Sequence, residues 1–253
     1  MCLMLLGYKV SDKYPLVFAA NRDEFYQRPT APMHFWEDDP FILAGKDLEQ
    51  GGTWLGLNQN GRFAALTNFR DPSALKADAP SRGGIIVDYF QSGSTPEDFL
   101  TGLEKQSDVY NGFNLIASDK ESLFWFSNIK KTIQKIEPGI HGLSNRFLNS
   151  PWPKVQKGRA KLKKILCGDI KPELLFNVLK DPSIPADKRL PETGVGLAWE
   201  RILSPLFIQS DIYGTRSSTI LLMDRNRTIK VTERTYDPLD NTVFDDQSFS
   251  ITT

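Results

Sequence analysis

The sequence predicts an α+β fold with antiparallel sheets. Predicted strands and helices come in blocks, in the order strands, helices, strands, helices, strands, whereas a doubly wound fold alternates single strands with single helices. The strands of the first half are joined by short turns, which are the connections of antiparallel hairpins. The 253 residues are 40% hydrophobic and 25% charged, which is ordinary for a globular protein. We therefore predict a single domain over residues 1–253.

The first two predicted strands form a hairpin that brings a polar cluster to the first cysteine. Two apolar runs of strand length, residues 3–9 and 15–20, flank a polar stretch that can turn. Paired residue numbers in an antiparallel hairpin have a constant sum. With the turn centred near Asp12, that sum is about 24, so Cys2 is predicted to lie beside Arg22 and the polar residues around it.

The other elements follow from turn and capping signals. Asn60-Gly61 closes a second hairpin, and Thr95 followed by Pro96 marks the start of a helix. In chain order, the predicted elements are hairpin strands at 53–57 and 62–67, helices starting at 85 and 96, strands at 113–117, 123–126 and 132–136, helices at 153–166 and 172–180, a loop at 181–194, hairpin strands at 217–223 and 228–232, and an edge strand at 249–251.

Charge and cysteine content argue against several classes of protein. Lys+Arg and Asp+Glu both number 31, so the formal net charge is +0 and no global basic field attracts nucleic acid. Two cysteines do not make a disulfide framework, and we find no export signal and no apolar run of membrane-spanning length. The two histidines lack metal-ligand spacing with any cysteine. We expect a cytoplasmic protein with reduced thiols, no nucleic-acid partner, no transmembrane segment and no structural metal.

Cys2 is a candidate nucleophile. A small second residue normally permits removal of the initiator, so we expect Met1 to be removed. An N-terminal cysteine carries both a thiol and an α-amine of pKa about 7.7–8, which can take the thiol proton. The alternative is that Cys2 only packs in a buried strand. Cys167 follows a predicted helix end and is expected to be a structural thiol.

Several motifs occur together in an order that is specific to one family. They read AANRDEF (19–25), GGTWLG (51–56), ALTNF (65–69), YNGFN (110–114), GLSN (142–145), PWPK (151–154) and YGTRSST (213–219). With them the chain resembles the NRDE family, also called the transport and Golgi organisation protein 2 family, over essentially its whole length. The resemblance implies an N-terminal nucleophile (Ntn) hydrolase fold, a four-layer αββα sandwich.

The resemblance also implies roles for individual residues, by analogy with the cysteine-type amidases that share the fold. Cys2 would be the nucleophile and Asp23 the residue that orients its amine. Asn68 and Asn145 would donate to the oxyanion, although each is also a plausible strand-end or turn residue. The remaining positions implied in binding are Asn21, Arg22, Glu24 and Arg216.

This chain departs from the amidase pattern in its arginines. The amidases carry an arginine a few residues before the orienting aspartate, and that position is Ala20 here. Arg22 sits directly before Asp23 instead, where it and Glu24 could also form a plain ion pair. Arg216 is the candidate for the second amidase arginine. Activity therefore does not follow from the fold alone.

Two functions follow from the resemblance. Haem trafficking is favoured as the biological role, with haem as the transported ligand and no catalytic cofactor. The alternative is an N-terminal-cysteine amidohydrolase that cleaves a small, non-peptide acyl-amide, so whether the chain is an enzyme stays open. His34, His141, Cys2 and Met223 are the candidate iron ligands, and no spacing selects one. The expected partner is a small molecule, and a transient membrane or protein contact also stays open.

Overall fold

A computed structural model describes residues 2–252 of the protein. The strands are β1 (Cys2–Tyr8), β2 (Leu16–Phe25), β3 (Thr30–Phe35), β4 (Ile42–Asp47), β5 (Leu55–Asn58), β6 (Phe63–Asn68), β7 (Phe113–Ser118), β8 (Leu123–Ser127), β9 (Thr132–Lys135), β10 (Gly139–Leu143), β11 (Tyr213–Met223), β12 (Thr228–Tyr236) and β13 (Phe244–Thr252). The helices are α1 (Gly84–Gln91), α2 (Pro96–Gln106), α3 (Pro153–Leu166), α4 (Pro172–Leu179) and α5 (Leu197–Leu203).

The chain divides into two compact units. The first unit holds residues 2–27 and 138–250, and the second holds residues 28–137 with 251 and 252. Each unit is built on one antiparallel sheet with helices, so the predicted α+β class is confirmed. The prediction of a single domain over residues 1–253 stays a prediction. None of the helices within residues 2–252 combines the length and the apolar composition that crossing a membrane requires.

The first unit contains a six-stranded sheet in the order β10-β1-β2-β11-β12-β13. One face of this sheet packs on α3 and α4, and alternate residues of β1 point to that face. Leu3 and Leu5 of β1 share a buried cluster with Val155 of α3 and Phe176 of α4. Because successive side chains of a strand point to opposite faces, Cys2 lies on the face turned away from these helices.

The second unit contains a seven-stranded meander in the order β3-β4-β5-β6-β7-β8-β9. Its buried cluster joins strand residues such as Phe113 to Tyr89 of α1 and Leu100 of α2. Helix α2 begins as predicted, because the Thr95 side chain accepts a hydrogen bond from the Asp98 backbone N–H at 3.1 Å.

The structure contains elements that the sequence pattern does not predict. Strand β3 includes a proline, and β10 has two glycines in five residues, so both have weak strand propensity. Strand β4 and the short helix α5 are also unpredicted. The pattern ends the second strand at residue 20, whereas β2 continues to Phe25 because its polar residues pair with β11. The NRDE residues therefore lie in a strand.

Candidate active site

Cys2 and Arg22 are opposite each other at one end of the first unit's sheet. Strands β1 and β2 pair Cys2 with Arg22, which confirms the predicted register. Cys2 is 7% exposed and Arg22 is 5% exposed. Directly paired residues of antiparallel strands project to the same face, so the thiol and the guanidinium share the face turned away from α3 and α4.

The surroundings of Cys2 act on its thiol in opposite directions. Burial is the largest effect and raises the pKa of Cys2, because a thiolate loses hydration in the interior. The negative charge of the Asp23 carboxylate also raises that pKa. Arg22 lowers it, and so does the Asp23 backbone N–H, which hydrogen-bonds to the thiol. The thiol is therefore protonated at neutral pH unless a base takes its proton.

Asp23 is held by hydrogen bonds from β11. The Thr215 hydroxyl donates to Asp23 Oδ1 at 2.7 Å, and the Ile208 backbone N–H donates to the Thr215 hydroxyl oxygen at 2.9 Å. The Tyr213 hydroxyl donates to the Asp23 carbonyl oxygen at 2.9 Å. With Asp23 only 1% exposed, these contacts fix a buried carboxylate at the end of β2, one residue from the partner of Cys2.

Asn145 lies at the same end of β1. Strand β10 pairs with β1, and continuing their register by two residues puts Asn145 opposite Cys2. The Ser144 hydroxyl oxygen is 3.1 Å from the Cys2 carbonyl oxygen and 3.2 Å from Asn145 Oδ1. The one hydroxyl proton can be donated to either oxygen, so Ser144 lies within hydrogen-bond distance of both the Cys2 backbone and the Asn145 amide. Ser144 and Asn145 are both buried.

Arg216 and Glu24 complete the charged surroundings of Arg22. Arg216 sits where the register of β11 on β2 shifts, and its guanidinium donates to the carbonyl oxygens of Phe25 at 3.0 Å and Tyr26 at 3.1 Å. Burial is the largest effect lowering the pKa of Arg216, and the Arg22 charge lowers it further. Glu24 raises it. Both arginines therefore belong to one cluster beside Cys2.

Asn21 points away from this cluster. Its Nδ2 donates to the carbonyl oxygens of Leu179 at 3.0 Å and Leu206 at 2.7 Å. Its Oδ1 accepts from the Ser218 hydroxyl at 2.5 Å, and the Tyr236 hydroxyl donates to Ser218 at 3.1 Å. These contacts connect β2 to the last residue of α4 and to the segment after α5, so Asn21 has a structural role.

Asn68 belongs to the second unit. It is the last residue of β6, is half-buried, and is paired with Phe113 of β7. Its predicted oxyanion role stays a prediction. Met1, whose removal is expected, lies outside the described residues. Cys167 is an exposed free cysteine and takes no part in the cluster around Cys2.

Sequence reasoning missed three residues that hold this cluster together. Thr215 and Ser144 lie inside quoted motifs, so a search for hydroxyls beside the predicted acid and amide could have found them. Glu233 of β12 is 1% exposed and accepts from the Ser217 hydroxyl at 3.3 Å. No motif marks Glu233, because its position depends on strand pairing across β11.

The fold of the chain is Ntn-hydrolase-like. A mutant of conjugated bile acid hydrolase from Clostridium perfringens has a similar solved structure, with a TM-score of 0.51 and 9% identity, covering 100% of this chain and 92% of that one. This likeness establishes the Ntn-hydrolase fold predicted from the motifs.

The family follows from the sequence comparisons. The profile of the family described as Transport and Golgi organisation 2 matches residues 1–238, and the chain belongs to this family. The Transport and Golgi organization protein 2 homolog of Bos taurus is 32% identical over 265 residues, covering 92% of both proteins. The Transport and Golgi organization 2 homolog of Mus musculus is 30% identical over 278 residues, covering 100% of this chain and 99% of the relative.

Proposed function

We propose that the chain is an N-terminal-cysteine amidohydrolase that cleaves the C–N bond of a small, non-peptide acyl-amide. The observation that carries the proposal is the position of Cys2, which lies opposite Arg22 and accepts a hydrogen bond from the Asp23 backbone N–H. A buried thiol that serves only to fill space needs neither a paired guanidinium nor a fixed carboxylate one residue further along the strand. Burial of both charged groups is costly, which supports a role for them.

The proposed reaction passes through a thioester on Cys2. Once Met1 is removed, the α-amine of Cys2 takes the thiol proton, and the sulfur attacks the amide carbonyl carbon. The oxyanion that forms is stabilised by hydrogen-bond donors, for which the Asn145 amide is the candidate in this unit. The C–N bond then breaks, and the leaving amine takes the proton from the α-ammonium. Water hydrolyses the resulting thioester, which gives a carboxylic acid and restores the thiol; the acid then loses its proton to solvent.

The test compares two cysteines of the same chain. Intact mass first establishes whether Cys2 carries a free amine, and a panel of acyl-aminocoumarins of increasing acyl length then reports release of the amine. We expect Cys2→Ala to abolish turnover, whereas Cys167→Ala retains it because Cys167 is exposed and outside the cluster. No turnover by processed protein across the panel, or equal turnover by Cys2→Ala, would reject the proposal.

Haem carriage is the second candidate, and the geometry of His34 favours it. His34 Nδ1 is 2.7 Å from the Pro32 carbonyl oxygen, which can only accept, so Nδ1 carries the proton. In the neutral ring the lone pair is then on Nε2, the arrangement that metal-binding histidines use. His34 is half-exposed on β3, where an exchangeable iron ligand could be reached from solvent.

His141 has the opposite tautomer. The Gly142 backbone N–H donates to Asn149 Oδ1 at 3.0 Å, which fixes the orientation of that amide. Asn149 Nδ2 therefore donates to His141 Nδ1 at 3.1 Å, and the proton of the neutral ring is on Nε2. His141 is thus a matched control. We expect His34→Ala to change the Soret band and weaken binding in a haem titration, and His141→Ala to leave both unchanged; identical titrations of the two variants would reject haem ligation by His34.

A further inference from the structure

Glu233 is a buried carboxylate on the face of the first unit's sheet that carries Cys2. Strands β11 and β12 pair Thr219 with Glu233, and β2 pairs Ala20 with Thr219. Ala20 in turn is opposite Met4 of β1. Since paired residues share a face, Glu233 projects to the same side as Met4 and therefore as Cys2, two residues earlier in β1.

Ser217 connects this carboxylate to Arg22. Arg22 is directly opposite Ser217 across β2 and β11, and the Ser217 hydroxyl donates to Glu233 Oε2 at 3.3 Å. Adjacent strands are about 4.8 Å apart, and Glu233 pairs with Thr219, two residues beyond Ser217 along β11. Arg22 and Glu233 are therefore about two strand spacings apart across the sheet and about 7 Å apart along it, a separation that the two extended side chains together can bridge. A buried guanidinium and a buried carboxylate on one face stabilise each other, because each alone carries a large desolvation cost.

We propose that Glu233 is a positioning residue that holds and offsets the charge of Arg22, and thereby sets the acidity of the Cys2 thiol. The proposal rests on the nucleophilic role proposed for Cys2. Glu233 draws the Arg22 charge toward β12, away from the sulfur. Loss of the Glu233 charge leaves Arg22 uncompensated beside Cys2, and a thiolate next to an uncompensated cation is more stable.

The other charged groups near Cys2 stay constant in this comparison. They are Asp23, which acts on the thiol directly, Arg216 with Glu24, which act on one another beside Arg22, and the α-amine that removal of Met1 leaves on Cys2. None of them is changed by a substitution at position 233. A shift in the titration of Cys2 therefore reports the Glu233–Arg22 coupling, provided that the shift depends on Arg22.

The experiment is a double-mutant cycle on the pH profile of Cys2 alkylation. The full chain, processed to expose Cys2 and carrying Cys167→Ser so that one thiol remains, is treated with iodoacetamide from pH 6 to 10. We expect Glu233→Gln to lower the midpoint of the profile by about one pH unit, and Arg22→Gln to raise it. In the Arg22→Gln background, we expect the effect of Glu233→Gln to fall by at least half.

Two results overturn the proposal: an unchanged midpoint in Glu233→Gln, or a shift of the same size with and without Arg22. If thermal unfolding shows that Glu233→Gln does not fold, the same titration is measured on Glu233→Asp. This variant keeps the negative charge and moves it away from Arg22 by the length of one methylene. A smaller shift in the same direction supports the proposal, and no shift overturns it. Alkylation needs no substrate, so this outcome is separate from failure of the amidohydrolase proposal, which appears as absent turnover.

Discussion

Cys2 and Arg22 are directly opposite each other on neighbouring antiparallel strands, and both side chains are buried. The pairing puts a fixed positive charge beside a thiol that burial would otherwise keep protonated. Asp23 follows Arg22 in the strand, so its backbone N–H reaches the thiol, whereas its side chain projects to the same face as that of Asn21 and its charge raises the pKa of Cys2.

In protein that retains Met1, we expect iodoacetamide at pH 7 to modify Cys167 before Cys2. Burial raises the pKa of Cys2, so little thiolate forms there, whereas Cys167 is exposed. Peptide mapping after limited alkylation measures the order. Because the folded-state pKa is the higher one, the stability contribution of the Cys2 thiol is full below the unfolded pKa of about 8.5 and is lost as the pH rises toward the folded value.

The matching stability measurement is thermal unfolding at pH 7 and pH 9.5. We expect wild-type protein to lose more stability over this interval than Cys2→Ala, which has no thiol to titrate at that position. Equal losses would contradict the raised pKa of Cys2.

We expect Asn21→Ala to destabilise the protein by about 2–3 kcal/mol, because it leaves two buried carbonyl oxygens and the Ser218 hydroxyl without their partner. Chemical denaturation measures the change in the free energy of unfolding. The control is Asn226→Ala, an exposed turn residue that we expect to change it by less than about 0.5 kcal/mol. A stable Asn21→Ala protein with altered Cys2 alkylation would instead favour the binding role implied by the motif.

The first hairpin could be predicted because local signals determine it. Apolar runs of strand length and a polar turn fix the register, so the pairing of Cys2 with Arg22 follows from numbering alone. The continuation of β2 through its polar residues could not be predicted in this way. It depends on hydrogen bonds to β11, which lies about two hundred residues further along the chain. The strand propensity of a local segment contains no information about such a distant partner.

The candidate site likewise combines residues that local sequence signals identify with residues that only distant strand pairing brings together. Asp23 and Asn145 lie in motifs, Cys2 was identified by its place after Met1 and by the hairpin register, and all three lie at one end of the first unit's sheet. Asn21 lies in the same motif but projects to the helix-bearing face, because strand side chains alternate. Glu233 was missed because it reaches the site only through two successive strand pairings.

We expect Thr215→Val to destabilise the protein by about 1–3 kcal/mol, since Asp23 Oδ1 loses a donor and the Ile208 backbone N–H loses an acceptor in a buried place. Thr232→Val is the control, because Thr232 bonds Ser248 at an exposed position of β12. Denaturant unfolding compares the two substitutions. If Thr215→Val costs no more than Thr232→Val, the hydrogen bonds to Asp23 are not what stabilises this part of the sheet.

We expect Arg234→Lys to cost about 1–3 kcal/mol. The Arg234 guanidinium bonds Glu173 at 2.6 Å and Asp246 at 2.8 Å, and it lies between the rings of Phe176 and Phe244, 4.1 and 3.9 Å from their centroids. A lysine ammonium cannot make the two-pronged contact or stack in the same way. Arg225→Lys, at an exposed ion pair, should cost at most about 1 kcal/mol. Equal unfolding free energies for the two variants would contradict this account.

Asn145→Ala should lower kcat for an acyl-aminocoumarin by about 10²–10³-fold and change KM little, because an oxyanion donor acts mainly in the transition state. The amide is suited to this role, since the Ser144 hydroxyl can donate to its Oδ1 and the Nδ2 end is then the donor. The control is Asn60→Ala in an exposed turn, which should keep full activity. The kcat of Ser144→Ala should lie between those of Asn145→Ala and Asn60→Ala, because this variant keeps the Asn145 amide and removes only the hydroxyl that orients it. Activity in Asn145→Ala equal to that in Asn60→Ala would show that the oxyanion is stabilised by other donors.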